Sequence, residues 1–346
     1  MNKRIYLLLL MLALGLEPLG AMHIMEGFIP LKWCIIWYLI ALPFVVFSYH
    51  FVARQIKASP RMKSSFALAA AYTFILSALK MPSVAGSSSH LTGTTLGTLT
   101  IGPMAMPLVG AIVLLFQALL LAHGGISTLG ANIFSLSIAG PFVAYALYRL
   151  LTSARLPKSL VIFIATFCGS MATYIVTSFQ LAAVYPDTVT GVMGAAWKFL
   201  GIFAITQVPL SIIEGILTVI VLRLIEKSQA KTTTSVEASS TQSSTKSSLR
   251  PQFVWLSILA VVCLALPILA GLFDIGAGTD DQAGEMIGQL TPGFNPTPFL
   301  ESFEPSEFAE PLLFALQVAI GIALFVWGYY QLIYKRHQTK QKEREA

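Results

Sequence analysis

Apolar stretches of about twenty residues recur along this chain between short polar turns, and nothing else in the sequence limits the fold so strongly. Six are plain, near residues 33–53, 64–80, 105–122, 130–148, 159–184 and 198–222. A segment of that kind satisfies its backbone inside a bilayer only as a helix. Composition agrees: 55% of the 346 residues are hydrophobic and 11% are charged, against ~25% charged in soluble domains. The expected fold class is an all-α polytopic membrane protein.

Charge placement tests the number of crossings. Residues 1–21 hold Lys3 and Arg4, then apolar Ile5–Leu14, then Leu19-Gly20-Ala21. That is the layout of a signal peptide cut after Ala21; an uncleaved first helix is the alternative. With the new N-terminus outside, the first span ends inside at Arg54, Lys57, Arg61 and Lys63, as the positive-inside rule requires. The second span returns the chain outside at 81–90. Six spans then fail, because Arg149, Arg155, Lys158, Arg223 and Lys227 would lie outside. One more crossing between His90 and Pro103 corrects all of them. The segment 91–101 is short and rich in Gly and Thr, so it crosses only where neighbouring helices bury its backbone. Residues 22–227 are therefore expected to form a seven-helix domain. The net charge of +6 belongs to the inner loops and is no nucleic-acid footprint.

Cleavage after Ala21 would change the chemistry of Met22-His23-Ile24-Met25-Glu26-Gly27-Phe28. A terminal Met-His pair presents the α-amine of Met22, the amide nitrogen of His23 once a metal displaces its proton, and one imidazole nitrogen. These form fused, nearly planar chelate rings. A fourth nitrogen completes a square plane, which suits Ni(II) or Cu(II) and also low-spin Co(II). Without cleavage, Met22 and His23 are ordinary residues beside a span.

The same topology puts two histidines on the required side. His90 closes the small-residue loop Gly86-Ser87-Ser88-Ser89-His90, and His123 opens the loop His123-Gly124-Gly125-Ile126-Ser127-Thr128-Leu129-Gly130. Each competes for the fourth position. Asn132 follows at the head of the next span, where it either orients a ligand by hydrogen bonding or starts the helix. Glu214 lies well inside a span, with Gln207 two helical turns earlier on nearly the same face. Buried membrane carboxylates are costly and usually functional; coupling to a partner, a proton path and a local polar cap all stay open for this one.

Residues 228–250 are rich in Ser and Thr and read as a flexible linker. Two further spans are expected near 252–273 and 309–334, making 251–346 a two-helix domain. Between them, residues 274–310 form an acidic outer loop with Asp280, Asp281, Glu285, Glu301, Glu304, Glu307 and Glu310 and no Lys or Arg. It can concentrate cations, or its acidity simply follows from its side of the membrane.

Several classes drop out. There is no Walker-type glycine loop, no HExxH and no GxSxG. The expected protein is not an enzyme, and ATP hydrolysis would need separate subunits. Cys34, Cys168 and Cys263 each sit in apolar runs and suggest no disulfide framework.

Taken together, Met22–Gly27, then Ser89-His90-Leu91-Thr92-Gly93-Thr94, then His123–Asn132, resemble the CbiM and NikM family, the substrate-capture components of energy-coupling-factor cobalt and nickel importers. Pro209–Gly215 is similar to that family's last span. The C-terminal part resembles CbiN, its small two-span companion, through Gly278–Glu285 and Pro311–Gln317. The resemblance implies metal ligands at Met22, His23 and His90, favouring His90 over His123. It implies cobalt(II) or nickel(II) as the transported substrate. It also implies energy-coupling-factor ATPase subunits and a transmembrane coupling subunit as partners, in a bacterial or archaeal plasma membrane with the mature N-terminus extracytoplasmic. The CbiN-like segment leans to cobalt, for cobalamin synthesis, and planar nitrogen geometry leans to nickel. A proton-coupled secondary transporter is the rival of another class; Glu214 alone fits it.

Overall fold

The computed structural model describes residues 23–59, 61–77, 80–82, 88–121, 123–238, 279–298, 313 and 316–328. The expected signal peptide 1–21, Met22 and the expected span 252–273 lie outside the described residues. Helices dominate: α1 (Leu31–Ala58), α2 (Arg61–Leu76), α3 (Thr94–Ile101), α4 (Met106–Leu121), α5 (Leu129–Ser153), α6 (Lys158–Val184), α7 (Gly191–Ala238), α8 (Thr279–Leu290) and α9 (Leu316–Gly328). Between α2 and α3, strands β1 (Lys80–Pro82) and β2 (Ser88–His90) make a small antiparallel hairpin, with Lys80 opposite His90.

Among the described residues α1, α5, α6 and α7 are each long and apolar enough to cross a bilayer. Their outward faces carry large apolar side chains, such as Leu39, Phe47, Leu150 and Trp197. Inside, the helices approach closely through small residues. A Cβ on Gly169 of α6 would stand 2.7 Å from that of Ala144 in α5; such pairs let membrane helices pack backbone to backbone. The molecule is a multi-pass membrane protein; among the described residues four helices have the length and apolarity of a span, or five if the bent pair of α3 and α4 is one.

The segment expected as a short third crossing folds as a helix. Helix α3 has eight residues, nearly all buried. At ~1.5 Å per residue it rises only ~12 Å, less than half of a bilayer core of ~30 Å. It forms a bent pair with the helix that follows, at 120°. Gly97 makes the close fit possible, since a Cβ there would meet Met106 Sδ at 2.6 Å and Ala69 at 3.1 Å. Its hydroxyls turn back on the helix: Thr98 donates to the Thr94 carbonyl at 2.9 Å and Thr100 to that of Leu96 at 2.7 Å. In this way the backbone of a Thr-rich segment is enclosed by protein rather than by lipid.

Two expectations need correction. The linker read as irregular from Ser228 continues instead as helix to Ala238, because Ala230, Lys231 and Glu237 are good helix formers that extend α7 past its apolar part. The acidic outer loop also contains structure. Helix α8 lies within it and buries Ala283, Ile287 and Leu290 against Phe28, Phe199 and Phe203. Its acidic residues, Asp280, Asp281 and Glu285, lie off that apolar spacing.

Candidate metal centre

The segment His23–Pro30 runs ahead of α1 and is knit to the loop His123–Leu129 and the first turn of α5. Asn132 holds Ile24 from both sides. Its Oδ1 accepts the Ile24 N–H at 2.9 Å, and its Nδ2 donates to the Ile24 carbonyl at 3.0 Å. Thr128 Oγ1 donates to the same carbonyl at 2.7 Å. Two residues on, the Glu26 N–H donates to the Gly124 carbonyl at 3.3 Å, and Glu26 Oε2 accepts the Ser127 N–H at 2.9 Å. The loop can come this close only without side chains. Gly124, at φ +76°, would place a Cβ 3.2 Å from that of His23, and Gly125 would place one 2.7 Å from Glu26 Cα. Soon after Asn132 the helix widens into a π-helical turn over Phe134–Ala139, a distortion often found at functional sites.

This clamp aims the His23 ring at two other imidazoles. Nδ1 of His23 lies 3.0 Å from Nε2 of His90 and 2.8 Å from Nε2 of His123. All three residues are buried, and one ring nitrogen from each falls within 4.8 Å of the others. His90 has a defined tautomer: its Nδ1 sits 2.9 Å from the Leu91 carbonyl, which can only accept. The proton is therefore on Nδ1, and the Nε2 lone pair points at His23. A backbone partner of this type orients many metal-binding histidines. Burial, and then the charge on His90, hold the His23 imidazole well below its ordinary pKa of 6.5, so it stays in the neutral form that binds metals.

The spacing carries geometric information. Two nitrogens each ~2.0–2.1 Å from one ion stand ~2.9 Å apart at a right angle and ~3.3 Å apart at a tetrahedral one. The observed 3.0 and 2.8 Å are the lengths of N–H···N hydrogen bonds, and they are also compatible with right angles at an ion. Three ring nitrogens converging in a buried pocket are equipped, once the proton between them leaves, to hold a transition-metal ion.

The structure thus brings both competing histidines to His23. It places Asn132 as a clamp on the backbone next to His23. Glu214 of α7 is bonded to Thr92 and Gly93, just past His90. Sequence reasoning missed Thr128 and Tyr174, whose hydroxyl donates to the His90 carbonyl at 3.2 Å. It also missed the C-terminal segment. Ala283 of α8 lines a cavity together with His23, Ile24, Phe28, Thr177, Leu181 and Phe203. Beyond α8, Phe294 packs edge-on against Phe28 at 6.1 Å and Tyr185 at 5.5 Å, and the Thr297 N–H donates to the Gly27 carbonyl at 3.3 Å. The apolar spacing of 283, 287 and 290 was the available signal for that contact.

A multi-pass helical fold that gathers three imidazoles in one buried cluster fits a metal-transport component of the membrane. Comparison with known proteins refines the class. Residues 23–232 match the model of the CbiM family, described as the cobalt uptake substrate-specific transmembrane region, and residues 249–345 match the cobalt transport protein component CbiN. The chain belongs to the CbiM family and carries a CbiN domain at its C-terminus. It is 52% identical over 221 residues to the cobalt transport protein CbiM of Moorella thermoacetica, covering 64% of this chain and 85% of that one. With the protein of the same name from Chlorobium limicola it shares 50% over 227 residues, covering 66% and 89%. The solved structure of a transition metal transporter superposes with a TM-score of 0.50 at 27% identity, covering 60% of this chain and 93% of that one.

Proposed function

We propose that this protein captures Co(II) at the outer face of the plasma membrane, as the metal-binding subunit of an energy-coupling-factor importer that supplies cobalamin synthesis. Four nitrogens hold the ion: the α-amine of Met22 after removal of residues 1–21, the amide and Nδ1 of His23, and Nε2 of His90. The observation that carries this reading is the 3.0 Å approach of His90 Nε2 to His23 Nδ1, between two imidazoles from distant parts of the chain. The cobalt choice rests on the CbiN domain and on the names of the relatives. The same nitrogen set also suits nickel, which is the alternative cargo.

An inward-negative potential of ~100 mV favours entry of a divalent cation by ~4.6 kcal/mol. A nanomolar site holds its ion by ~12 kcal/mol. Release is then the costly step, and ATPase and transmembrane coupling subunits would drive it. A proton-coupled secondary transporter would instead need an available carboxylate at membrane depth. Glu214 is fully engaged by hydrogen-bond donors, which disfavours that rival.

His123 gives a second reading of the fourth ligand, supported by its own 2.8 Å approach to His23 Nδ1. Competition titration of Co(II) against a chromophoric chelator separates the two. With His90 as the ligand, His90→Ala loses most of the affinity and His123→Ala much less. The reverse order assigns the fourth position to His123.

A further inference from the structure

We propose that Glu214 is a positioning residue that fixes His90 for ion capture. This rests on the reading of His90 as a ligand. Glu214 is fully buried on α7, and its carboxylate is bound on every side. Oε1 accepts the Thr92 hydroxyl at 2.6 Å and the Gly93 N–H at 2.9 Å. Oε2 accepts the Thr92 N–H at 2.8 Å and the Ser170 hydroxyl at 3.3 Å. Ser170 is itself oriented by Ser211, which donates to it at 3.0 Å. A carboxylate has about four lone-pair sites, and these four donors use them. A group reserved for carrying an ion or relaying a proton would keep one open; this one is an anchor.

What it anchors is the turn that follows the histidine. Two of the four donors are the successive backbone N–H groups of Thr92 and Gly93, so the carboxylate grips main chain rather than a flexible side chain. Gly93, at φ +68°, lies against α2 so closely that a Cβ would meet Thr73 Cα at 2.9 Å, and Thr73 donates to its carbonyl at 3.1 Å. Two helical turns earlier on α7, Gln207 donates to the hydroxyl of Ser89. Residues of one α7 face therefore hold the chain on both sides of His90, and Tyr174 holds the His90 carbonyl at 3.2 Å. The imidazole direction is set from the backbone outward, and Glu214 supplies the largest part of that grip.

Glu214→Gln is an informative change because each oxygen faces a backbone N–H. In either orientation the amide must point its own N–H₂ at a donor, so the grip fails with no change of size. The measurement is Co(II) affinity of the purified full-length chain by competition titration, in a double-mutant cycle with His90→Ala. Loss of an outer partner of a metal ligand typically costs ~10–100-fold in affinity, and Glu214→Gln is expected to cost at least ~tenfold in that range. The loss should vanish when His90 is already alanine. An equal loss in both backgrounds would overturn the proposal, because Glu214 would then act on the fold and not through His90. Unchanged affinity in Glu214→Gln would overturn it too. Full-strength binding by His90→Ala alone would instead sink the ligand assignment, and this proposal with it. If Glu214→Gln does not fold, Thr92→Val removes the 2.6 Å hydroxyl contact with Glu214 and a 3.4 Å one with Thr94 while keeping both backbone donors; a several-fold loss confined to the His90 background supports the proposal, and any other result opposes it.

Discussion

Asn132 and Ile24, 108 residues apart, exchange two hydrogen bonds through one side-chain amide and one peptide unit on either side of the Ile24 Cα. The contact fixes the backbone immediately after His23. A chelating amide works only if the peptide that contains it is held in the plane of the amine and the imidazole. The clamp on Ile24 restricts the next peptide, and through it the His23 ring.

Asn132→Asp should therefore weaken ion capture. The aspartate still accepts the Ile24 N–H, but it turns a lone pair towards the Ile24 carbonyl, which a donor now occupies. The expected loss is ~10–100-fold in Co(II) affinity, read by competition titration. The unfolding temperature of the ion-free protein should fall as well: the Ile24 carbonyl keeps Thr128 but loses the Asn132 hydrogen bond, worth ~0.5–1.5 kcal/mol.

Affinity should rise with pH. Ion binding requires loss of the His23 amide proton, and below about 7.7 also loss of the α-amine proton of a mature Met22. The expected slope is about tenfold per pH unit near pH 8 and steeper near pH 6. A flat profile would remove both nitrogens from the ligand set. Stability of the ion-free protein has its own dependence. Burial depresses the His23 pKa below its ordinary 6.5, so the unfolded chain takes up a proton that the folded chain refuses. Above that value both states are neutral and the residue contributes no pH dependence. As pH falls below it, towards the depressed folded pKa, the fold loses stability. Melting temperatures at pH 5.5 and 7.5 check the sign.

Gly27→Ala should displace the C-terminal segment. Gly27 has φ +78°, and a Cβ there would fall 2.7 Å from Pro298 N and 2.8 Å from the Thr297 carbonyl carbon. Both the dihedral and the contact oppose a side chain. Amide exchange over residues 279–298 should accelerate in the variant, while α5 and α6 keep their protection. Unchanged exchange would show that the contact with Thr297 and Pro298 contributes little to holding the segment.

Much of the architecture was legible in the sequence, for physical reasons that differ by element. Hydropathy marks α1, α5, α6 and α7 because each must match the bilayer by itself. It is silent on α3, whose Thr and Gly residues are enclosed by protein; only the charges of Arg149, Lys158 and Arg223 pointed, by parity, to an additional element there. The histidines were legible as candidates, since they stand out in small-residue loops. Their relative order was not, because His90 and His123 differ only in how the fold orients them around His23 Nδ1. Glu214 was visible as an anomaly, but its donors Thr92 and Ser170 lie 122 and 44 residues away, and no local pattern announces such pairs. Helix α8 was hidden by its charge. Averaged over the segment, Asp280, Asp281 and Glu285 conceal the apolar stripe of Ala283, Ile287 and Leu290.

The central claim is that a chain end at Met22 completes the nitrogen set around the ion. Intact-mass spectrometry of the membrane-purified protein, under conditions that retain metal, tests it directly. The account predicts a chain beginning at Met22 with one Co(II) or Ni(II) bound. A chain that keeps residues 1–21 and still holds its ion would contradict it.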